Sequence, residues 1–147
     1  MEAAGALVII EAGADRFRLE QAREIRRRVF IEEQHVPEEI ELDVEDALAF
    51  HALALKRGTP VGCGRMVSRG DYVKIGRMAV LQQCRGEGIG RAVLQFLIEQ
   101  ARRNGFRRAV LDAQTHAEGF YQKQGFIAVG EIFEEAGIPH RRMERAL

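Results

Sequence analysis

Neither sign of charge is in surplus in this 147-residue chain: lysine plus arginine and aspartate plus glutamate both number 22, and the formal net charge is zero. Bulk binding to nucleic acid or to an anionic membrane draws on excess positive charge, so neither partner is expected. The runs Arg26-Arg27-Arg28, Arg102-Arg103, Arg107-Arg108 and Arg141-Arg142 sit in a chain interspersed with acids and read as solvated faces of helices and strands. Cysteine is scarce. Cys63 and Cys84 form no C-x-x-C pair and no Cys/His pattern of zinc-ligand spacing, which suits free thiols in a reducing compartment. The four histidines, His35, His51, His116 and His140, are widely separated and no H-E-x-x-H helix exists, so no metal is expected. No run approaches the roughly 20 apolar residues that span a bilayer. The opening "MEAAGALVIIEAGAD" has no basic segment followed by a long apolar one, and a cytoplasmic location is expected. Ser68 is the only serine and no G-x-S-x-G elbow surrounds it, which removes the usual serine hydrolase. Cys63 falls in a predicted strand, away from any helix N-terminus that would stabilise a thiolate, and Cys84 has no identifiable base.

What is present fits one domain over residues 1–147, a length that buries one substantial core. "ALVIIEAG" predicts a first strand. Asp15 can then cap a helix in which Leu19, Ala22, Ile25 or Arg26, Val29 and Phe30 recur every three or four residues to about Gln34. "HVPEEIELDVEDA" is acidic and reads as a pocket-bordering loop with one helical turn between Pro37 and Leu42. Three strands joined by short turns follow, Ala49 to Lys56, Val61 to Ser68 and Tyr72 to Val80, and short turns make antiparallel neighbours. A helix from Gly90 to Asn104 places Ile89, Val93, Leu94, Leu97, Ile98 and Ala101 on one side. Then come a strand "RRAVLDAQ", a short helix over 117–124, and two tail strands, "FIAVGEIFEE" and "HRRMERAL". The order β-α-β-β-β-α-β-α-β-β predicts one mixed α/β sheet with helices on its faces.

The segment "QQCRGEGIGRAVLQFL" packs Gly86, Gly88 and Gly90 between a strand and a helix. A helix N-terminus exposes unpaired N–H groups at the positive end of the dipole and attracts phosphate. Glycine lets the phosphate come close, and Arg85 and Arg91 flank the turn. A P-loop requires Lys-Ser or Lys-Thr, which is missing. A dinucleotide fingerprint would be met by Gly86 and Gly88, with Asp112 as the ribose acid, but Arg91 stands at its third glycine. A purely structural turn is the remaining reading.

Arg85, Gly88 and Gly90 also match the Q/R-x-x-G-x-G/A signature of the GNAT N-acetyltransferases. The strand "VKIGRMAVL" and the segment "AEGFYQKQGFIAVGE" lie at family-like positions as well. With "REIRRRVFIEEQ" and "EEAGIPHRRM" the chain resembles the ElaA/YjcF-type branch of that family over nearly its whole length. The resemblance implies a single GNAT domain, a mixed, largely antiparallel sheet of six to seven strands flanked by helices, with acetyl-CoA as co-substrate and no metal. It implies transfer of the acetyl group to a primary amine by direct attack in a ternary complex. The acceptor would be a small-molecule amine, a lysine side chain or an N-terminal amine, the protein a monomer or homodimer. A non-catalytic acyl-CoA-binding or sensing module is the alternative.

On the resemblance, the backbone of Met78, Ala79 and Val80 takes the pantetheine arm, and the turn Arg85, Gly86, Glu87, Gly88, Ile89, Gly90, Arg91 takes the phosphates. Tyr121 is implied as general acid on the thiolate, against a packing role with Phe120 and Phe126. For proton removal from the amine, Glu33 and His51 are the candidates, though a strand histidine is often structural. His116 and His140 are expected to line the acceptor pocket, and the acidity of residues 32–46 suggests a cationic acceptor.

Overall fold

The computed structural model describes residues 6–147; residues 1–5 of the expected 1–147 domain lie outside them. Strand β1 (Leu7–Glu11) leads to helix α1 (Arg16–Arg26), capped as expected by Asp15, whose carboxylate accepts from the Phe17 N–H at 2.9 Å. The helix does not stop at Arg26. It widens into a π-wound continuation, Arg27–Glu33, in which the Gln34 N–H reaches the Val29 carbonyl five residues back. One short turn, α2 (Glu38–Glu41), and a 3₁₀ turn, Val44–Ala47, cross to the meander β2 (Phe50–Lys56), β3 (Thr59–Ser68) and β4 (Val73–Val80). Helix α3 (Ile89–Arg103) carries the chain over to β5 (Arg108–Gln114), and α4 (Glu118–Lys123) follows. The tail holds β6 (Ile127–Ala128), β7 (Phe133–Glu135) and β8 (Ile138–Ala146).

The sheet has eight strands in the order β1-β2-β3-β4-β5-β8-β6, with β7 also paired to β8. One strand more than expected arises because "FIAVGEIFEE" breaks in two at Gly130, whose φ of 85° takes it out of extended geometry. The following turn is tighter than predicted. Ala136 and Gly137 both have positive φ (54° and 76°), which closes a two-residue hairpin with Glu135 opposite Ile138, so β8 starts at Ile138 and includes Pro139.

Helices cover the two faces, and side-chain alternation sorts β2 between them. Ala52 and Ala54 join the core under α3, while Leu53 and Leu55 join the core under α1 with Ala22, Ile25 and Val29. All six apolar positions predicted for α3, from Ile89 to Ala101, are buried in the first of these cores. Helix α3 lies close because β3 offers two glycines beneath it. A Cβ on Gly62 would sit 2.8 Å from Ile89 Cγ2, and one on Gly64 3.0 Å from Val93 Cγ1 and 3.1 Å from Leu97 Cδ1. Among the described residues, no helix is long and apolar enough to cross a membrane.

Two irregularities place the site. In β4 the parity of burial reverses: Val73 and Ile75 face the α3 core, yet Ala79 faces the α1 core. The extra residue is in β4, where Cys63 pairs Ala79 while Arg65 pairs Gly76, and Arg77 sits at a φ of 51°. The second irregularity is the seam of the sheet. Parallel β4 and β5 pair only at Val73, Lys74 and Ile75 with Ala109, Val110 and Leu111; beyond that they part.

Candidate active site

Where β4 and β5 separate, a cleft of about 1060 Å³ opens, at the upper end of the ~300–1,000 Å³ usual for ligand sites. Residues 76–80 of β4 form one wall and residues 111–114 of β5 the other. The π-wound end of α1 and the turn before α3 close one end, and Tyr121 and His140 come in from α4 and β8. Past Ile75 the β5-facing edge of β4 has no strand partner, so an extended amide chain entering the gap would meet backbone groups ready to pair.

The glycine turn stands at the end of that wall. Gly86 and Gly88 have φ of 85° and 84°, the left-handed region that glycine occupies without strain, and Gly88 is the cap residue of α3 with no side-chain cap bond. The first N–H groups of α3 are therefore free for an anion. Gly90 is informative for a different reason. A Cβ there would find only ordinary contacts, 3.5 Å to Phe120 Cζ and 3.6 Å to Val80 Cγ2, so the protein's own packing does not demand glycine. A ligand pressed against this turn would. Glu87 directs its carboxylate away, to Lys56 at 2.7 Å, leaving its backbone to the turn. Arg85 is engaged already: Nε donates to the Val80 carbonyl at 3.0 Å and the two Nη donate to Glu33 at 2.7 and 2.8 Å. Exposed Arg91 stands on the first turn of α3.

Tyr121 lines the cleft at 8 % exposure, edge-on to Phe120 and Phe126, and burial pushes its phenol pKa up. The phenol is held protonated, as a proton donor must be. Glu33 also lines the cleft, but the Arg85 hydrogen bonds hold its carboxyl below the usual range, the direction opposite to that of a base. His51 requires correction. It is 2 % exposed, lies outside the cleft lining, and its Nε2 donates to the Asp46 carbonyl at 2.9 Å. Burial pushes its pKa down; it pins the 43–48 turn to the sheet.

His116 and His140 both line the cleft. His116 is exposed, and its Nε2 meets Gln114 Oε1 at 2.7 Å, while Gln114 Nε2 donates to Gln34 at 2.8 Å, a chain of three side chains across the mouth. His140 is 7 % exposed. Its Nδ1 lies 2.7 Å from the Ile138 carbonyl, and its ring stacks on Phe133 at 5.9 Å and 24°.

The acidic segment behaves differently from expectation. Glu41 binds Arg26 at 2.5 Å and Arg77 at 3.3 Å; Asp46 binds Arg26 at 2.9 Å and Arg65 at 2.7 Å. Asp43 holds Arg65 at 2.8 Å and Arg77 at 3.2 Å, and Glu45 holds Arg69 at 2.5 Å. These acids are therefore spent on arginines and do not form an open negative surface. Arg26, expected on a solvated face, is 1 % exposed, and only its neighbours Arg27 and Arg28 are exposed. The network fixes the wall of the cleft to α1. Periodicity hinted at it, since Arg26 competes with Ile25 for the apolar stripe, but its partners are 15 and 20 residues away and no local pattern names them. Asp112, the candidate ribose acid, is bound by Lys74 at 3.1 Å and Arg142 at 3.0 Å.

A family model described as an acetyltransferase (GNAT) domain matches residues 13–147. The uncharacterized N-acetyltransferase YjcF of Bacillus subtilis is 36 % identical over 126 residues, covering 85 % of this chain and 90 % of its own. The crystal structure of Escherichia coli ElaA superposes with a TM-score of 0.84 at 30 % identity, over 95 % of this chain and 99 % of that one. That of an acyl-CoA N-acyltransferase from Pseudomonas aeruginosa gives 0.83 at 29 %, over 95 % and 98 %. The ElaA/YjcF-type likeness in the sequence is thus found in sequence and in fold.

Proposed function

The chain belongs to the GNAT acetyltransferase family, and from that premise we propose that it moves the acetyl group of acetyl-CoA to a primary amine by direct attack within a ternary complex. The parting of β4 from β5 beside the glycine turn is the observation that carries this reading. One wall, Met78, Ala79 and Val80, has no strand partner on its β5 side and can meet the amides of a pantetheine arm, with the Val80 carbonyl shared with Arg85, and the turn from Arg85 to Arg91 offers helix-terminal N–H groups to the diphosphate. Holding both ends of the carrier fixes the thioester in the gap and converts a bimolecular encounter into a positioned one. Tyr121, buried, protonated and lining the cleft, supplies the proton that the leaving sulfur needs. Glu33 serves as the partner of Arg85, and His51 as a structural tether.

Isothermal titration with CoA, followed by thiol release from acetyl-CoA across spermidine, glucosamine and an N-terminally blocked lysine, tests the reading. Binding with turnover of at least one amine supports it. Binding without turnover leaves an acyl-CoA-binding module, and no binding removes the reading altogether.

A further inference from the structure

We propose that His140 is the general base that takes the proton from the acceptor amine, an inference that rests on the acyl-transfer reading above. A carbonyl oxygen can only accept, so the 2.7 Å contact with Ile138 O requires the proton of the neutral imidazole to sit on Nδ1. Nε2 then carries the lone pair. Among the described residues, Arg141 Nε is the only buried side-chain nitrogen or oxygen lacking a hydrogen-bond partner. His140 Nε2 has no hydrogen bond to a described residue and is not fully sealed, and the residue lines the cleft. The tether through Nδ1 and the near-parallel Phe133 ring fix the plane of the imidazole, as a base aimed at one place requires.

The other cleft candidates lack this combination. Glu33, Glu45 and Asp112 are ion-paired, and His116 and Glu135 are exposed, while His51 lies outside the cleft and spends Nε2 on a backbone carbonyl. The charged and titratable groups around His140 are accounted for element by element. On β5, Gln114 lies opposite it and Asp112 is tied to Lys74 and Arg142. On β7, Glu134 and Glu135 are exposed; on its own strand Arg141 faces Glu118 of α4 at 3.5 Å. His116 belongs to the 3₁₀ turn between β5 and α4.

In the step, Nε2 accepts one ammonium proton, and the freed nitrogen lone pair forms the C–N bond as the C–S bond breaks. The second proton leaves the nitrogen as the amide forms, the thiolate takes a proton from Tyr121, and one proton in net is released to solvent. The test uses the full chain, acetyl-CoA and the best amine of the panel above. His140→Gln is expected to lower kcat by about 10²–10⁴-fold while the KM for acetyl-CoA and CoA binding stay as they were. In His140→Ala, added imidazole is expected to restore turnover in proportion to its unprotonated fraction, which a purely structural role does not predict. Turnover within about threefold of the parent in His140→Gln overturns the proposal alone, since the contribution of a base is far larger. An unsubstituted protein that binds CoA but turns over no amine overturns it together with the acyl-transfer reading. Should the glutamine variant fail to bind CoA, ¹⁵N imidazole NMR on the parent decides: an Nδ1–H tautomer supports the assignment, and an Nε2–H tautomer overturns it.

Discussion

Replacing Gly90 by alanine separates what the protein needs from what its ligand needs. In the free protein the new methyl would lie 3.5 Å from Phe120 and 3.6 Å from Val80, both ordinary van der Waals distances. Gly90 is the second residue of a 15-residue helix, and alanine is favoured over glycine in helices by up to about 1 kcal/mol. The variant should therefore unfold at the same temperature as the parent or ~2–4 °C higher, the shift expected for about 1 kcal/mol in a chain of this size. On the proposed reading, the same methyl would meet a diphosphate seated against the first turn of α3. Loss of close approach and of one helix-terminal N–H contact should weaken CoA binding at least tenfold, or about 1.4 kcal/mol. Differential scanning fluorimetry without ligand and isothermal titration with CoA measure the two effects. Unchanged affinity would refute the reasoning, because the phosphates could not then be seated on this turn.

Tyr121→Phe removes only a hydroxyl and should leave CoA affinity intact while lowering turnover of acetyl-CoA by about 10²-fold or more, read by thiol release at saturating amine. Arg26→Ala strands the buried carboxylates of Glu41 and Asp46 and should cost ~3–5 kcal/mol in urea unfolding. For Asp46, burial alone would raise the pKa, but the hydrogen bonds and charges of Arg26 and Arg65 outweigh it and bring it down to about 2 from 3.8. A depressed folded-state value means stability that is whole above the unfolded value and lost as pH falls from about 4 towards 2. The difference is about 2 kcal/mol, and it should vanish from acid-titrated unfolding curves in Asp46→Asn. Cys84, half-buried in the cleft, should react with iodoacetamide and be protected by CoA; Cys63, fully enclosed with its thiol pushed up to about 12, should stay unmodified in both conditions.

The parts of this fold that depend on nearby residues could be read from the chain. The α3 stripe, the Asp15 cap and the glycine turn are local patterns of spacing, and each stands where the spacing put it. What depended on distant pairing could not be read. The fate of the acidic segment is decided by Arg26, Arg65, Arg69 and Arg77, which come from α1, β3, the β3–β4 turn and β4, so sequence proximity says nothing of their meeting. His51 and His140 illustrate the same limit. Both sit in strands, His51 between Phe50 and Ala52 and His140 between Pro139 and Arg141, and only the three-dimensional partner of each ring, Asp46 O on Nε2 for one and Ile138 O on Nδ1 for the other, separates a tether from a free lone pair. The extra residue at Arg77 left no mark in the alternation of "VKIGRMAV", because Gly76 and Ala79 are small enough to suit either face.

A strand that leaves its peptide groups unclaimed is ordinarily a hazard, since a neighbouring molecule can dock on it and begin a fibre. The β5-facing edge of β4 after Ile75 has no strand partner, only Arg85 on the Val80 carbonyl, and it is recessed, with β5 across the gap and the end of α1 at its rim. A neighbouring molecule would have to enter the cleft before it could pair with that edge, so its recess shields the fold from fibre growth.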